Sequence, residues 1–340
     1  MEFRSLGRCG LKVTPLSLGA MTFGESQGFM KGVTSPDVEA RRLFDRALEA
    51  GINCVDTANV YSEGRSEELT GEWLLGRRQK IVLATKCRFP VTGPWNAALP
   101  HDYGLSRRHI LEACEASLKR LKTDFIDLYQ VHMQDTSVPI EETLRALDDL
   151  VHAGKVRYAG CSNYTGYRLV EALWTSDRRD FVRYESVQLQ YSLLCRDAER
   201  EMIPACKAFG LGTLVWSPLA RGFLSGKYTR DTPPPTGSRL AAWQDAWKLV
   251  ASEKNFAIVD VVKEIAQAHG TTASAVSLAW VLAKPFVTSI IVGARTVQQL
   301  EDNVRALEVK LTAEEIARLD QVSKPAWGYP YDFIGGRQEW

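Results

Sequence analysis

The chain has 340 residues, enough for one large α/β domain or two small ones. Its 42 Lys and Arg nearly cancel 41 Asp and Glu, and no long basic block is present, which argues against nucleic acid as the main partner. Apolar stretches such as SAVSLAWVLA are too short to span a bilayer, and MEFRSLGRCG lacks the basic-then-hydrophobic pattern of a secretory signal.

MEFRSLGRCGLKVTPL reads as a small hairpin with Cys9-Gly10 near its turn, followed by a first strand around LSLGAM. A helix near 36–50, a strand at NCVDTA, a helix at SEELTGEWLLG and a strand at IVLATK come next. Ser106 opens a helix near 106–121, and FIDLYQVH is a strand. PIEETLRALDDLVHAG is a helix with Pro139 at its start and Gly154 at its end. VRYAGCSN, SVQLQY and GTLVWSPL continue the strands, with helices near 165–175 and 197–209 between them. TSIIVGA is the last strand, followed by a helix near 296–307.

Eight strand-helix units with nearly continuous apolar strands suit a parallel sheet covered on its outer face. That number in about 300 residues favours a closed (β/α)8 TIM barrel over an open doubly wound sheet. No composition break marks a boundary, so residues 1–340 read as one domain. The exception to short connections is 220–250, whose DTPPPTGSRL is rich in Pro and Gly and suits a lid or binding element that closes over a ligand. The tail at 324–340, rich in aromatics and glycine, has no helical periodicity and could cross a pocket mouth.

Four polar residues each end a short apolar run: Asp56, Tyr61, Lys86 and His132. An acid, a phenol, an amine and an imidazole at the C-terminal ends of successive strands are the parts of a proton-donating site. The phenol is the natural donor to a carbonyl that receives hydride. The amine and imidazole would make a group of reference pKa about 10 useful near neutrality. Taken singly, each has a blander reading: a loop tyrosine, a structural ion pair, a hydrogen-bonded buried histidine. Seven cysteines (Cys9, Cys54, Cys87, Cys114, Cys161, Cys195 and Cys206) without C-x-x-C spacing suit reduced thiols in the cytoplasm, and with five scattered histidines they make no case for a metal. No G-x-G-x-x-G follows the first strand, so a Rossmann module is not supported. GFLSGK at 222–227 is one residue short of a P-loop and continues with Tyr228.

LGAMTFG, GINCVDTANVYSEGRSEE, ATK, DLYQVHMQD, AGCSNY, VQLQYSLL, VWSPLARGFLSGKY and IIVGARTVQQLEDN follow one another in this order. On those motifs the chain resembles the aldo-keto reductases, in the branch that also holds bacterial and plant reductases and potassium-channel β-subunits. The resemblance implies a (β/α)8 barrel closed at its base by an N-terminal hairpin, binding extended NADP(H) and reducing aldehydes or ketones. It implies Tyr61 as general acid, Lys86 as the charge that lowers the Tyr61 pKa, Asp56 as the group that holds Lys86, and His132 as a hydrogen-bond donor to the substrate oxygen. It also implies that Ser162, Asn163 and Gln188 hold the nicotinamide carboxamide, with Thr22 and Asp56 nearby, and that Trp216 stacks on its ring. Ser217, Leu219, Gly222, Lys227 and Arg239 would surround the pyrophosphate; Gly293, Arg295, Gln299 and Asn303 would meet the adenosine end, Arg295 at the 2′-phosphate.

Three positions depart from the family pattern: Cys54 where an aromatic is common, Ser62 where Gly is frequent, and Arg221 in the turn that follows Trp216. Phe23, Phe89, Trp95 and tail aromatics such as Trp327 are expected to line an apolar substrate pocket, with a small-molecule carbonyl or alcohol as partner. The alternative is an NADP(H)-binding regulatory subunit with little catalysis. Channel β-subunits carry Asn at the position of His132, so the histidine favours a working reductase.

Overall fold

Strands too short to be stable alone become a barrel by closing on one another. The computed structural model describes residues 1–28, 30–93 and 98–335. An antiparallel hairpin, β1 (Arg4–Ser5) and β2 (Lys12–Val13), comes first. The barrel strands are β3 (Leu16–Gly19), β4 (Cys54–Asp56), β5 (Val82–Cys87), β6 (Ile126–Val131), β7 (Val156–Ser162), β8 (Tyr184–Gln190), β9 (Gly212–Trp216) and β10 (Ser289–Val292). All pair in parallel in chain order, and β10 pairs with both β9 and β3, closing an eight-stranded ring.

The two-residue period of a strand sorts the side chains. Outward residues such as Val55, Leu83, Tyr129, Val131, Val187 and Val215 belong to the large core between barrel and helices. Ala84, Leu128, Leu214 and Ile291 cluster with Leu6 of the hairpin, and Leu11 packs against them. Lys86, Gln130 and Trp216 therefore stand one step above apolar residues on their own strands, and the lumen turns polar towards its C-terminal end. The hairpin plugs the base: at Gly7 (φ +63°) an added Cβ would stand 2.5 Å from Gly212 N and 2.8 Å from Glu185 O, so only glycine fits.

The main outer helices are α1 (Asp37–Glu49), α2 (Arg65–Leu74), α3 (Arg107–Leu121), α4 (Ile140–His152), α5 (Gly166–Arg179) and α6 (Met202–Phe209). Ser106 caps α3 by accepting from His109 N. In α4, Ile140, Leu144, Leu147 and Leu150 form the buried stripe, at about 1.5–3 kcal/mol for each fully buried side chain. Gly71 lets α2 approach α3, since its Cβ would meet Leu121 O at 2.4 Å.

Segment 220–250 is more structured than its composition suggests. It carries α7 (Arg239–Ala242) and α8 (Gln244–Val250), and Phe223, Tyr228, Trp247 and Phe256 pack together to hold its ends. Before the last strand come α9 (Glu253–Ala268) and α10 (Ala273–Leu282), two helices beyond those predicted from the sequence. Then follow α11 (Val297–Val304), α12 (Ala313–Val322) and α13 (Tyr331–Gly335). The tail packs at the N-terminal end of α6, with Tyr331 bonded to Glu201 and its ring beside Arg200. None of the described helices is long and apolar enough to cross a membrane.

Candidate active site

Asp56 ends β4, Lys86 lies near the end of β5, and Gln130 and Gln188 lie near the ends of β6 and β8. Their inward direction brings them together at the top of the lumen. Lys86 Nζ, fully buried, donates to Asp56 Oδ1 at 2.5 Å, to Thr57 O at 2.8 Å and to Tyr61 Oη at 3.5 Å. The other Asp56 oxygen accepts from Gln130 Nε2 at 3.1 Å and Gln188 Nε2 at 2.9 Å. Every oxygen of a buried carboxylate is thus satisfied, as a charge away from water requires.

Tyr61 follows the strand on a tight turn and keeps its ring against the Lys86 ammonium, 5.0 Å from the centroid. Burial pushes the phenol above its ordinary value of 10.0; Lys86 pulls it down and Asp56 pushes it up again. Lys86 pulls the phenol down, as the sequence reading expects, but the loss of water outweighs the nearby charge and the net shift is upward. Burial opposes the Lys86 charge, but Asp56 and Tyr61 together hold the ammonium above its usual range. The phenol is therefore protonated at neutral pH, with a cation beside it to receive the charge left when the proton departs.

His132 packs edge-on to Tyr61 (centroids 5.7 Å) and to Phe89 (5.2 Å). Burial, with Lys86 and Arg88 adding repulsion, drives its pKa well below 6.5, so the imidazole is neutral. Its Nδ1 is buried without a partner among the described residues. Asn163, at φ 53°, donates through Nδ2 to His132 O and to Ser162 Oγ, tying the end of β7 to the end of β6.

A cavity of about 1240 Å³ opens above these groups, larger than the 300–1,000 Å³ common for small ligands. Tyr61, Asp56 and His132 line it, with Lys86 behind Tyr61. Every residue assigned to the cofactor from the sequence lines the same cavity: Thr22, Asp56, Ser162, Asn163, Gln188, Trp216, Ser217, Leu219, Gly222, Lys227, Arg239, Gly293, Arg295, Gln299 and Asn303. Thr22 Oγ1 donates to Ala294 O, Gln299 Oε1 accepts from Arg295 N, and Ser217 Oγ accepts from Arg221 N. The Trp216 Nε1 is buried without a partner among the described residues.

Arg221, Lys227, Arg239 and Arg295 converge on one end, and no carboxylate lies within 4.0 Å of any of them among the described residues. Burial, Arg295 and Arg239 pull Lys227 down; burial and Arg295 pull Arg239 down to about 10, with Arg221 adding. Arg295 donates to the carbonyls of Gly32 and Gly237. Cations crowded without counter-charge are an arrangement that a polyanion relieves, and phosphate groups fit it.

Three expectations for the substrate side fail or fall elsewhere. Phe23 is core, 1% exposed and packed on Trp73. Trp327 is absent from the cavity wall, and the described tail is held instead at the start of α6 through Tyr331. Trp95 lies outside the described residues, whereas Phe89 does line the cavity. Sequence reasoning missed Gln130, Glu63, Trp243, Thr272 and Ser274. A lone Gln in an apolar strand, two residues before His132 and hence on its face, was the available sign for Gln130. Thr272 had an N-cap position ahead of α10.

Residues 15–324 match the model of the aldo/keto reductase family. An uncharacterized oxidoreductase of Bacillus subtilis is 40% identical over 330 residues, 95% of this chain and 96% of its own length. The versiconal hemiacetal acetate reductase of Aspergillus parasiticus is 37% identical, over 97% of this chain and 99% of its own. A probable voltage-gated potassium channel subunit beta of Arabidopsis thaliana is also 37% identical, over 96% and 98%.

Proposed function

The chain belongs to the aldo/keto reductase family of oxidoreductases, and from that premise we propose that it is an NADPH-dependent enzyme reducing aldehydes or ketones to alcohols, reversibly, in the cytoplasm. The observation that carries this reading is the buried Lys86 ammonium between Asp56 and Tyr61, at the floor of a cavity whose far end is an uncompensated cation cluster. Tyr61 gives its proton to the carbonyl oxygen. Lys86 stabilises the phenolate that results, Asp56 fixes Lys86, and neutral His132 hydrogen-bonds the same oxygen and holds the Tyr61 ring.

The cofactor, when bound, supplies hydride. Ser162, Asn163 and Gln188 hold its carboxamide beside Thr22 and Asp56; Gln188 Nε2 is engaged by Asp56 and Gln130, so its Oε1 is the atom left to accept. Trp216 flanks the ring. Ser217, Leu219, Gly222, Lys227 and Arg239 take the pyrophosphate. Arg295, with Gly293, Gln299 and Asn303, takes the adenosine 2′-phosphate, near the N-terminus of α11. Residues 1–340 act as one barrel domain in this reading.

The relatives named as channel subunits keep a second reading in view, a cofactor-binding partner with little catalysis. NADPH consumption with an aromatic aldehyde separates the two. Steady turnover with alcohol formed in equal amount supports the enzyme, and tight NADPH binding without turnover supports the binding subunit.

A further inference from the structure

The cavity wall carries a carboxylate that the proposed proton transfer does not use. Glu63 lines the cavity two residues beyond Tyr61. Its turn is fixed: Ser62 (φ 48°) and Glu63 (φ 54°) both adopt the left-handed backbone that residues with side chains seldom take. Ser62 Oγ donates to Gly24 O at 3.0 Å. Glu63 Oε1 accepts from Ser26 Oγ at 2.9 Å and Gly28 N at 3.2 Å, which aims the carboxylate and leaves Oε2 for other donors. No Lys, Arg or His stands within 4.0 Å of Glu63 among the described residues.

The surroundings make this charge selective. Val60, Phe89, Pro90 and Val91 line the same cavity and are apolar. Val91 covers the turn together with Arg120, whose guanidinium is paired with Glu67: a Cβ added at Gly64 would lie 3.3 Å from Val91 Cγ1 and 3.0 Å from Arg120 Cδ. Phe89 packs on His132, so this wall continues from the proton donors. A carboxylate held in a fixed direction beside an apolar wall acts on a charged ligand brought against it.

We propose that Glu63 is a specificity-determining residue, favouring carbonyl substrates that carry a protonated amine on an apolar or aromatic body and rejecting those that carry a carboxylate. This rests on the carbonyl-reductase reading of the site. Like charges brought together in such a wall cost binding and opposite charges gain it, on the order of tenfold between the two.

The test compares 4-(dimethylaminomethyl)benzaldehyde, benzaldehyde and 4-formylbenzoate with NADPH, and measures binding of the matching benzyl alcohols by calorimetry. Wild type should prefer the amine over the carboxylate by at least about tenfold in kcat/KM and in affinity. Glu63→Gln keeps an acceptor for Ser26 and Gly28, so the turn persists, and should bring that ratio down by about tenfold; Glu63→Lys should invert it. A wild-type ratio near one, or a ratio unmoved in both variants, overturns the proposal. Failure to reduce benzaldehyde would instead overturn the reductase reading, and the calorimetric ratio would still decide the role of Glu63.

Discussion

Replacing Lys86 by Met should slow the reaction far more than it alters cofactor affinity. The Lys86 ammonium lies 3.5 Å from the Tyr61 oxygen. At an effective dielectric of about 20, a phenolate at that distance is stabilised by about 5 kcal/mol. Asp56, within about 6 Å of the same oxygen through Lys86, returns about 3 kcal/mol of repulsion. If Asp56 takes up a proton in the variant, the net loss is about 2 kcal/mol; if it stays charged, the loss approaches 5 kcal/mol. The expected fall in the hydride-transfer rate is therefore about 30-fold to a few thousand-fold. The variant should also be less stable by about 3–5 kcal/mol, because Asp56 is left with only Gln130, Gln188 and no cation. Single-turnover kinetics with deuterated NADPH and urea unfolding measure the two effects separately. Lys86→Met with Asp56→Asn should recover stability without recovering the rate, which separates charge from packing. A Lys86→Met rate within threefold of wild type, with hydride transfer limiting, would refute the reasoning.

Arg295→Ala should weaken NADPH by about 10- to 100-fold and leave NADH nearly unchanged, since a charge-assisted hydrogen bond is worth about 1.5–3 kcal/mol; equal losses in fluorescence titrations would show that Arg295 does not read the 2′-phosphate. A general acid works in its protonated form, so with Tyr61 raised above 10.0 and His132 held well below 6.5, kcat for reduction should be flat through neutral pH and fall only in strong alkali. An inflection near pH 6.5 that disappears in His132→Gln would contradict the neutral imidazole. Hydrogen exchange should show residues 229–238, which lie between Lys227 and Arg239, exchanging rapidly without NADPH and slowly with it; equal protection in both states would make that stretch a fixed wall.

The barrel was legible because each strand is an apolar run of the right length and the connections repeat. The four chemical residues were legible because each ends such a run at the face where a barrel gathers its loops. α9 carries Phe256, Val259, Val262 and Ala266 at helical intervals, but the Pro-rich stretch before it reads as a loop and masks the start of that pattern. α10 is apolar on all sides because it is buried on all sides, so it offers no stripe to detect. α12 had its Thr312 and Glu315 capping box in plain view. The direction of the Tyr61 shift was not legible, since charge can be read from composition and depth of burial cannot. The same limit applies to Phe23: an aromatic after a strand is core or pocket according to which loop covers it.

The most direct test of the account is Tyr61→Phe, which keeps the ring beside His132 and removes only the hydroxyl. NADPH oxidation with an aromatic aldehyde should fall by about 10²–10⁴-fold, while the NADPH dissociation constant stays within a few-fold of wild type. A variant that keeps more than half the wild-type turnover, with hydride transfer shown to be rate-limiting, would contradict Tyr61 as the proton donor.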